Sequence, residues 1–157
     1  MRLADKIKYK GMSFLSNSGG IIIPNFFVGA YEMDLCQITR AGLMVEYEIK
    51  ISRSDFFNDF KKGNKHDVIK SGSRCNRFFF ITPRGLLNLN EIPPQYGLIE
   101  YDNQFNTMCI IKPAKILSKI DFVNWRSISF QLLSRSENYR RKYKYEKYLN
   151  QQNNTNQ

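Results

Sequence analysis

The sequence has little histidine, little cysteine and no long apolar run, and each shortage excludes a class of protein. A single histidine, His66, cannot build a histidine metal site. The cysteines, Cys36, Cys75 and Cys109, are odd in number, widely spaced and without a CxxC pair, which argues against a disulfide framework and a zinc centre. No apolar run could span a membrane, and the N-terminus lacks a signal-peptide core. We therefore expect a cytoplasmic protein with no membrane partner.

Acidic residues are also scarce, with 14 Asp and Glu against 24 Lys and Arg, so the net charge is +10. A basic excess of this size in a small domain favours a polyanionic partner, nucleic acid first and an anionic membrane surface second. The length of 157 residues predicts one domain, and a hydrophobic share of 42% is enough to fill its core.

The stretch with the clearest chemistry is a predicted β-hairpin of Tyr31–Ile38 and Leu43–Ile51. The connecting residues Arg40-Ala41-Gly42 suit a three-residue loop with a left-handed glycine at its end, so that residue 39 pairs with residue 43. This register places Asp34 opposite Glu48, Cys36 opposite Glu46 and Glu32 opposite Lys50. A two-residue loop would put Asp34 and Glu48 on opposite faces, so the register decides whether they can meet.

In this register the hairpin has an acidic face and an apolar core face. The first carries Glu32, Asp34, Glu46, Glu48 and Lys50, and the second carries Met33, Leu35, Val45, Tyr47, Ile49 and Ile51. Two converging carboxylates are a site for Mg²⁺ or Mn²⁺, and a nearby ammonium can hold water or neutralise a phosphate. The alternative is the solvent face of an amphipathic hairpin, which we favour for Glu32 and Glu46.

The remaining pattern predicts an α/β fold with a mixed sheet flanked by helices. A first helix over residues 3–16 precedes the hairpin, and a second runs from Arg53 to Lys62 with Ser52 as N-cap. Capping and solvation explain Asp55 and Asp59 on that helix. The apolar run Arg77–Thr82 predicts a strand buried on both faces, and two more strands follow at 97–102 and 107–112.

Several basic residues are candidates for contact with a nucleic-acid backbone. Residues 122–149 predict a helix whose second half interleaves basic residues with tyrosines, which suits a nucleic acid through charge and stacking, although a solvated helix whose tyrosines cover the sheet is an equal alternative. A solvated charge run is the alternative elsewhere. The candidates are Arg53, Lys61, Lys62, Lys65, His66, Arg140, Arg141 and Lys144. The tail at 150–157 is rich in Asn and Gln, which predicts disorder.

The residues Asp34 and Glu48-Ile49-Lys50 resemble the D…ExK signature of the PD-(D/E)XK nuclease (restriction-endonuclease-like) superfamily. The segment Glu48-Ile49-Lys50-Ile51-Ser52-Arg53-Ser54-Asp55-Phe56 is similar to the E-I-K-x-S-R-x-D-F segment of one branch, which includes MmcB-like proteins assigned to DNA repair and single-domain phage proteins. The segments Asn76–Phe80 and Gly97–Ile99 resemble the same branch. The resemblance covers roughly residues 20–115.

The resemblance implies a restriction-endonuclease-like core over 1–121, with residues 122–149 as a basic helical extension that packs on it. It implies a Mg²⁺- or Mn²⁺-dependent nuclease that hydrolyses phosphodiester bonds of DNA in phage DNA processing or repair. Asp34, Glu48 and the Ile49 carbonyl would ligate the metal, and Lys50 would position water or stabilise charge. Glu32 and Ser52 would be accessory residues, and a homodimer stays open.

One departure from the superfamily favours a different outcome. Many members place a glutamate on the first helix, near the metal, whereas the first helix here offers only Asp5. The alternative is therefore a nucleic-acid-binding protein of the same fold with little or no cleavage.

Overall fold

The computed structural model describes residues 2–61 and 63–136, which divide into two compact units after Val123. The described part of the second unit is helical over 125–136. The first unit contains the helices α1 (Leu3–Ser16), α2 (Arg53–Asp59) and α3 (Lys65–Lys70) and the strands β1 (Ile21–Val28), β2 (Tyr31–Ile38), β3 (Met44–Ile49), β4 (Arg77–Pro83), β5 (Gly97–Asp102) and β6 (Thr107–Lys112). None of the helices described is long and apolar enough to cross a membrane.

The six strands form one mixed sheet in the order β1-β2-β3-β4-β5-β6. The first three strands form an antiparallel meander, β4 and β5 continue parallel to β3, and β6 returns antiparallel at the far edge. Since parallel neighbours cannot be joined by a tight hairpin, α2 and α3 supply the crossover between β3 and β4. The predicted α/β fold with a mixed sheet flanked by helices is confirmed.

The sheet is covered on both faces, and side-chain alternation along β4 shows how. Phe79 and Ile81 belong to a cluster with Ile7 and Leu15 of α1. Phe78 and Phe80 point to the other face and join a cluster with Phe56 of α2 and Ile69 of α3. Successive residues of a strand point to opposite faces, so an unbroken apolar run fits a strand buried on both sides, as predicted.

The turn between β2 and β3 has the predicted geometry. The Thr39 N–H donates to the Leu43 carbonyl at 2.9 Å, and the Gly42 N–H donates to the Thr39 carbonyl at 2.9 Å. Gly42 has φ of 77°, a left-handed conformation that glycine adopts without steric cost. Cys36 therefore pairs with Glu46 and Leu35 with Tyr47, which confirms the predicted register.

Several local predictions are wrong. The chain leaves the sheet after Ile49, so Ile51 is 43% exposed and is not a core residue. The second helix ends at Asp59 and not at Lys62, and a further helix, α3, begins at Lys65. Strand β1 runs through Pro24 and Asn25, where we predicted an interruption, without a change of register, since Pro24 pairs with Leu35 and Phe26 with Met33, although Asn25 adopts φ of 51°.

Candidate functional site

Asp34 lies where the ladder between β2 and β3 opens. Pairing ends at Leu35–Tyr47, and the next hydrogen-bonded pair would join residue 33 to Ile49. The Ile49 N–H instead donates to Asp34 Oδ2 at 2.9 Å, while Asp34 Oδ1 lies 3.2 Å from the Lys8 ammonium of α1. The Asp34 carboxylate is therefore fixed against the backbone between Glu48 and Lys50.

The same hydrogen bond also gives the direction of the Ile49 carbonyl. The N–H and the carbonyl of one strand residue point to the same edge of the strand, as the exchange of both bonds in a ladder pair requires. The Ile49 N–H faces the β2 side, where Asp34 accepts it, so the Ile49 carbonyl faces that side too. The oxygens of Asp34 and Ile49 therefore share one edge of β3.

Glu48 and Lys50 belong to a closed ring of two carboxylates and two ammonium groups. Glu48 Oε1 lies 3.0 Å from Lys50 Nζ and 2.9 Å from Lys65 Nζ. Asp59 closes the ring, with Oδ1 3.0 Å from Lys50 Nζ and Oδ2 2.9 Å from Lys65 Nζ. We call these four residues the ion-pair ring. Asp55 lies outside it, 3.8 Å from Lys50.

His66 and Tyr96 support the ion-pair ring from the buried side. His66 Nε2 lies 2.9 Å from Asp59 Oδ2, and Nδ1 lies 3.2 Å from the Tyr96 hydroxyl. The imidazole stacks on Phe60, with ring centroids 4.1 Å apart. This packing fixes the orientation of the Asp59 carboxylate, because His66 and Lys65 both donate toward its Oδ2.

The ring holds Lys50 and Asp59 in their charged forms. Burial lowers the pKa of Lys50, but the charges of and hydrogen bonds to Glu48 and Asp59 outweigh it, and the pKa is raised. Burial raises the pKa of Asp59, but the hydrogen bond from His66 and the charges of Lys65 and Lys50 outweigh it, and the pKa is lowered. Lys50 is therefore an ammonium donor and not a general base at neutral pH.

A second buried ion pair joins Glu46 of β3 to Arg74, which precedes β4. Glu46 Oε1 accepts from Arg74 Nη2 at 2.7 Å, and the two side chains are 0% and 3% exposed. The Arg74 guanidinium also lies over the Tyr31 ring, 4.7 Å from its centroid. Glu46 is therefore a buried partner of Arg74, and the prediction of a solvent-facing Glu46 is wrong.

The structure places the other candidate residues apart from the ring. Glu32 accepts from the Asn25 amide at 2.6 Å, so it does not pair with Lys50. Ser52 is the N-cap of α2, as predicted, and its hydroxyl accepts from the Asp55 N–H at 3.2 Å. Arg53 forms an ion pair with Glu91 and donates to the Leu86 carbonyl at 3.1 Å.

The basic candidates divide into three groups. Lys61 is exposed on the first unit. Lys65 and His66, predicted as surface contacts, are instead the cation of the ring and the buried partner of Asp59. Lys62, Arg140, Arg141 and Lys144 lie outside the described residues.

Sequence reasoning missed Asp59 and Lys8. Asp59 is 2% exposed, so the explanation by solvation is wrong. Its spacing of three residues from Phe56 puts both on one side of α2, and Phe56 was predicted to face inward, so that spacing was the available signal. The contact of Lys8 with Asp34 joins α1 to β2 and has no local signature.

The donors around Asp34 could serve one kind of metal site. Among the residues described, no group of three or more His, Cys, Asp or Glu side chains is arranged to hold a metal ion. Magnesium commonly uses one or two carboxylates together with waters and substrate phosphates. Asp34 and Glu48 are the carboxylates that could serve such an open site, and at present Lys8 and Lys65 pair with them.

Comparison with known proteins supports the fold and leaves the activity open. No family model matches the chain, and no curated protein matches it. A protein of unknown function from Silicibacter pomeroyi has a similar solved structure, with a TM-score of 0.65 and 18% identity over 90% of this chain and 89% of that one. At this identity the similarity establishes the shared fold alone.

Proposed function

We propose that the protein is a divalent-cation-dependent phosphodiesterase that acts on nucleic acid, with DNA as the expected substrate. The observation that carries the proposal is the bond from the Ile49 N–H to Asp34 at the opened edge of β3. It brings the Asp34 carboxylate to the backbone between Glu48 and Lys50, in the register that the sequence predicts. The D…ExK resemblance assigns the side chains of Asp34, Glu48 and Lys50 to this site.

Each residue has a defined part in this proposal. Asp34, Glu48 and the Ile49 carbonyl would hold Mg²⁺ or Mn²⁺, which supplies charge to polarise a phosphate and to acidify a water. Lys50, a buried ammonium held by Glu48 and Asp59, would stabilise through its positive charge the negative charge that grows on the phosphate oxygens. Because the ring orients Lys50 in advance, little reorganisation is needed when the phosphate reacts.

Thermal melting with and without about 1 mM Mg²⁺ or Mn²⁺ tests the cation site, because a ligand that binds only the folded state raises Tm by mass action. We expect a cation-dependent rise in the wild type that is lost in Asp34→Asn. Glu32→Gln is the matched control, since it removes one acidic charge from the same strand at a residue that contacts Asn25. A rise that survives in Asp34→Asn, or no rise in any protein, contradicts the proposal.

The second candidate is a nucleic-acid-binding protein of the same fold without cleavage. The observation that favours it is that Lys8 already neutralises Asp34 and Lys65 already neutralises Glu48. Such a site is electrostatically complete without a metal. This candidate predicts DNA binding that is unchanged by Mg²⁺ and by Asp34→Asn, with no cleavage of plasmid, single-stranded or branched DNA. The first candidate predicts cleavage that Asp34→Asn abolishes while binding persists.

A further inference from the structure

The two ammonium groups of the ion-pair ring, those of Lys50 and Lys65, differ in their exposure and in the carboxylates that each contacts besides Glu48. Lys50 is 4% exposed and contacts Asp59 and Asp55 in addition to Glu48. Lys65 is 12% exposed, as is Glu48, and its other partner is Asp59 Oδ2 at 2.9 Å. The pair of Lys65 and Glu48 is therefore the solvent-facing side of the ring, and Lys50 forms the buried side.

A divalent cation at Glu48 is incompatible with the present position of Lys65. Glu48 Oε1 accepts from Lys50 and Lys65 together, at 3.0 and 2.9 Å. A divalent cation bound to the same carboxylate would lie within a few ångströms of both ammonium groups. Like charges at that distance repel strongly in a partly buried site. Lys50 is enclosed, so Lys65 is the group that can leave, and Asp59 remains to bind it.

We propose that Lys65 occupies the cation position at Glu48 in the cation-free protein and that a divalent cation displaces it. Asp59 is the positioning residue that retains Lys65 after the exchange. This inference rests on the proposed function and deepens it, because it assigns the competitor that sets cation affinity. The cation and the Lys65–Glu48 pair are mutually exclusive, so the protein keeps its acidic site neutral until the metal arrives.

Direct Mn²⁺ binding, measured by electron paramagnetic resonance of the full chain without nucleic acid, tests the exchange independently of activity. Lys65→Met removes the competitor, and we expect its Kd for Mn²⁺ to be about two- to fivefold lower than that of the wild type, the upper range of a partly exposed ion pair. Lys61→Met is the matched control, because it removes the same charge at an exposed neighbour of the site. It should change the Kd less than about twofold, since exposed charges are screened by salt.

Asp59 is tested through Lys65 by a double-mutant cycle. Asp59→Asn leaves Lys65 with Glu48 alone and should raise the Kd for Mn²⁺, whereas the same change in a Lys65→Met background should have a much smaller effect. Circular dichroism first establishes that each variant folds. If Asp59→Asn does not fold, the Kd of Lys65→Met alone tests the exchange. Equal effects of Asp59→Asn in both backgrounds would overturn its role.

The possible failures are distinguishable. Wild-type Mn²⁺ binding that Lys65→Met leaves at the level of Lys61→Met overturns the exchange and leaves the proposed function standing. Mn²⁺ binding that is absent from the wild type and from Lys65→Met overturns both. Binding that appears only in Lys65→Met supports the exchange, with Lys65 as the dominant competitor at Glu48.

Discussion

Glu46 shows how burial alone can change the chemistry of a carboxyl group next to the candidate site. It pairs with Arg74 inside the sheet, and among the residues described its Oε2 has no hydrogen-bond partner. Burial raises the pKa of Glu46 from 4.5 to about 7, Arg74 opposes the rise, and the charge of Glu48 adds to it. Near neutral pH the folded protein therefore holds a proton that the unfolded chain has lost.

This difference predicts a pH-dependent stability that Glu46→Gln should remove. Between about pH 4.5 and about pH 7 the folded state binds more protons than the unfolded state, so stability falls as pH rises through this window. Asp59 acts in a lower window, because its pKa is depressed and its contribution is lost only as pH falls below its ordinary 3.8. Urea denaturation across the upper window checks the prediction, with Glu32→Gln as control. Parallel slopes for wild type and Glu46→Gln would contradict it.

At the residue scale the sequence predicts those site residues that are related by strand register. Asp34 and Glu48 can be assigned to one face by counting from Gly42, and Lys50 follows by alternation. Asp59 and Lys65 could not be placed in this way, because their meeting with Glu48 depends on how α2 and α3 return over the sheet. The spacing of Asp59 from Phe56 marks its inward side of α2, but it does not identify the groups on other elements that Asp59 meets.

At the element scale, local sequence determines the hairpin of β2 and β3, whereas tertiary contacts determine where the helices end and begin. The turn Arg40-Ala41-Gly42 can be predicted from local sequence, because its length of three residues and its left-handed Gly42 determine the pairing of β2 with β3. The end of α2 at Asp59 is not determined by local sequence. Lys65 and His66 both contact the Asp59 carboxylate, so α3 begins where tertiary ion pairs hold its first turn.

Two glycines in these elements should respond differently to alanine. At Gly42 an added Cβ meets nothing within 4 Å, so Gly42→Ala costs only backbone strain, about 1–2 kcal/mol. At Gly97 the added Cβ would lie 2.2 Å from Phe79 Cδ1, and Phe79 stacks on Tyr47 with centroids 5.4 Å apart. We expect Gly97→Ala to cost about 1–3 kcal/mol by overpacking and to move the Phe79 ring.

Denaturation and near-ultraviolet circular dichroism together separate the two effects. Both variants should unfold at lower urea concentration, whereas only Gly97→Ala should alter the aromatic signal, since it acts through Phe79 and Tyr47. An altered aromatic signal in Gly42→Ala would mean that the turn, and with it the register of β2 against β3, had shifted. An unchanged signal in Gly97→Ala would contradict the contact between Gly97 and the Phe79 ring.

At the scale of the whole molecule, the sequence predicts the order of elements well. A helix, a meander and a helical crossover lead into further strands, because the apolar patterns mark β4 as buried on both faces and β2 and β3 as a hairpin. The role of the excess basic residues cannot be predicted from such a pattern. A lysine that was predicted to contact a polyanion can instead form ion pairs within the protein, as Lys65 does with Glu48 and Asp59.

The salt dependence of DNA binding separates internal cations from those that meet a phosphate backbone. Each phosphate contact releases counterions and contributes about 0.9 to the slope of log K against log salt for duplex DNA. We predicted contacts for Arg140, Arg141 and Lys144, so replacing all three with Gln in the full chain should lower the slope by about 2.7. Arg53 is bound to Glu91 and to the Leu86 carbonyl, so Arg53→Gln should leave the slope nearly unchanged.

Fluorescence anisotropy with a labelled duplex, titrated at several salt concentrations, measures both slopes. A large change with Arg53→Gln would mean that DNA breaks the ion pair with Glu91, and the binding face would then include the start of α2. An unchanged slope in the triple variant would remove the C-terminal residues from the interface. Basic residues elsewhere in the chain would then bind the DNA, and two that are buried in the first unit, Lys50 and Arg74, already have carboxylate partners.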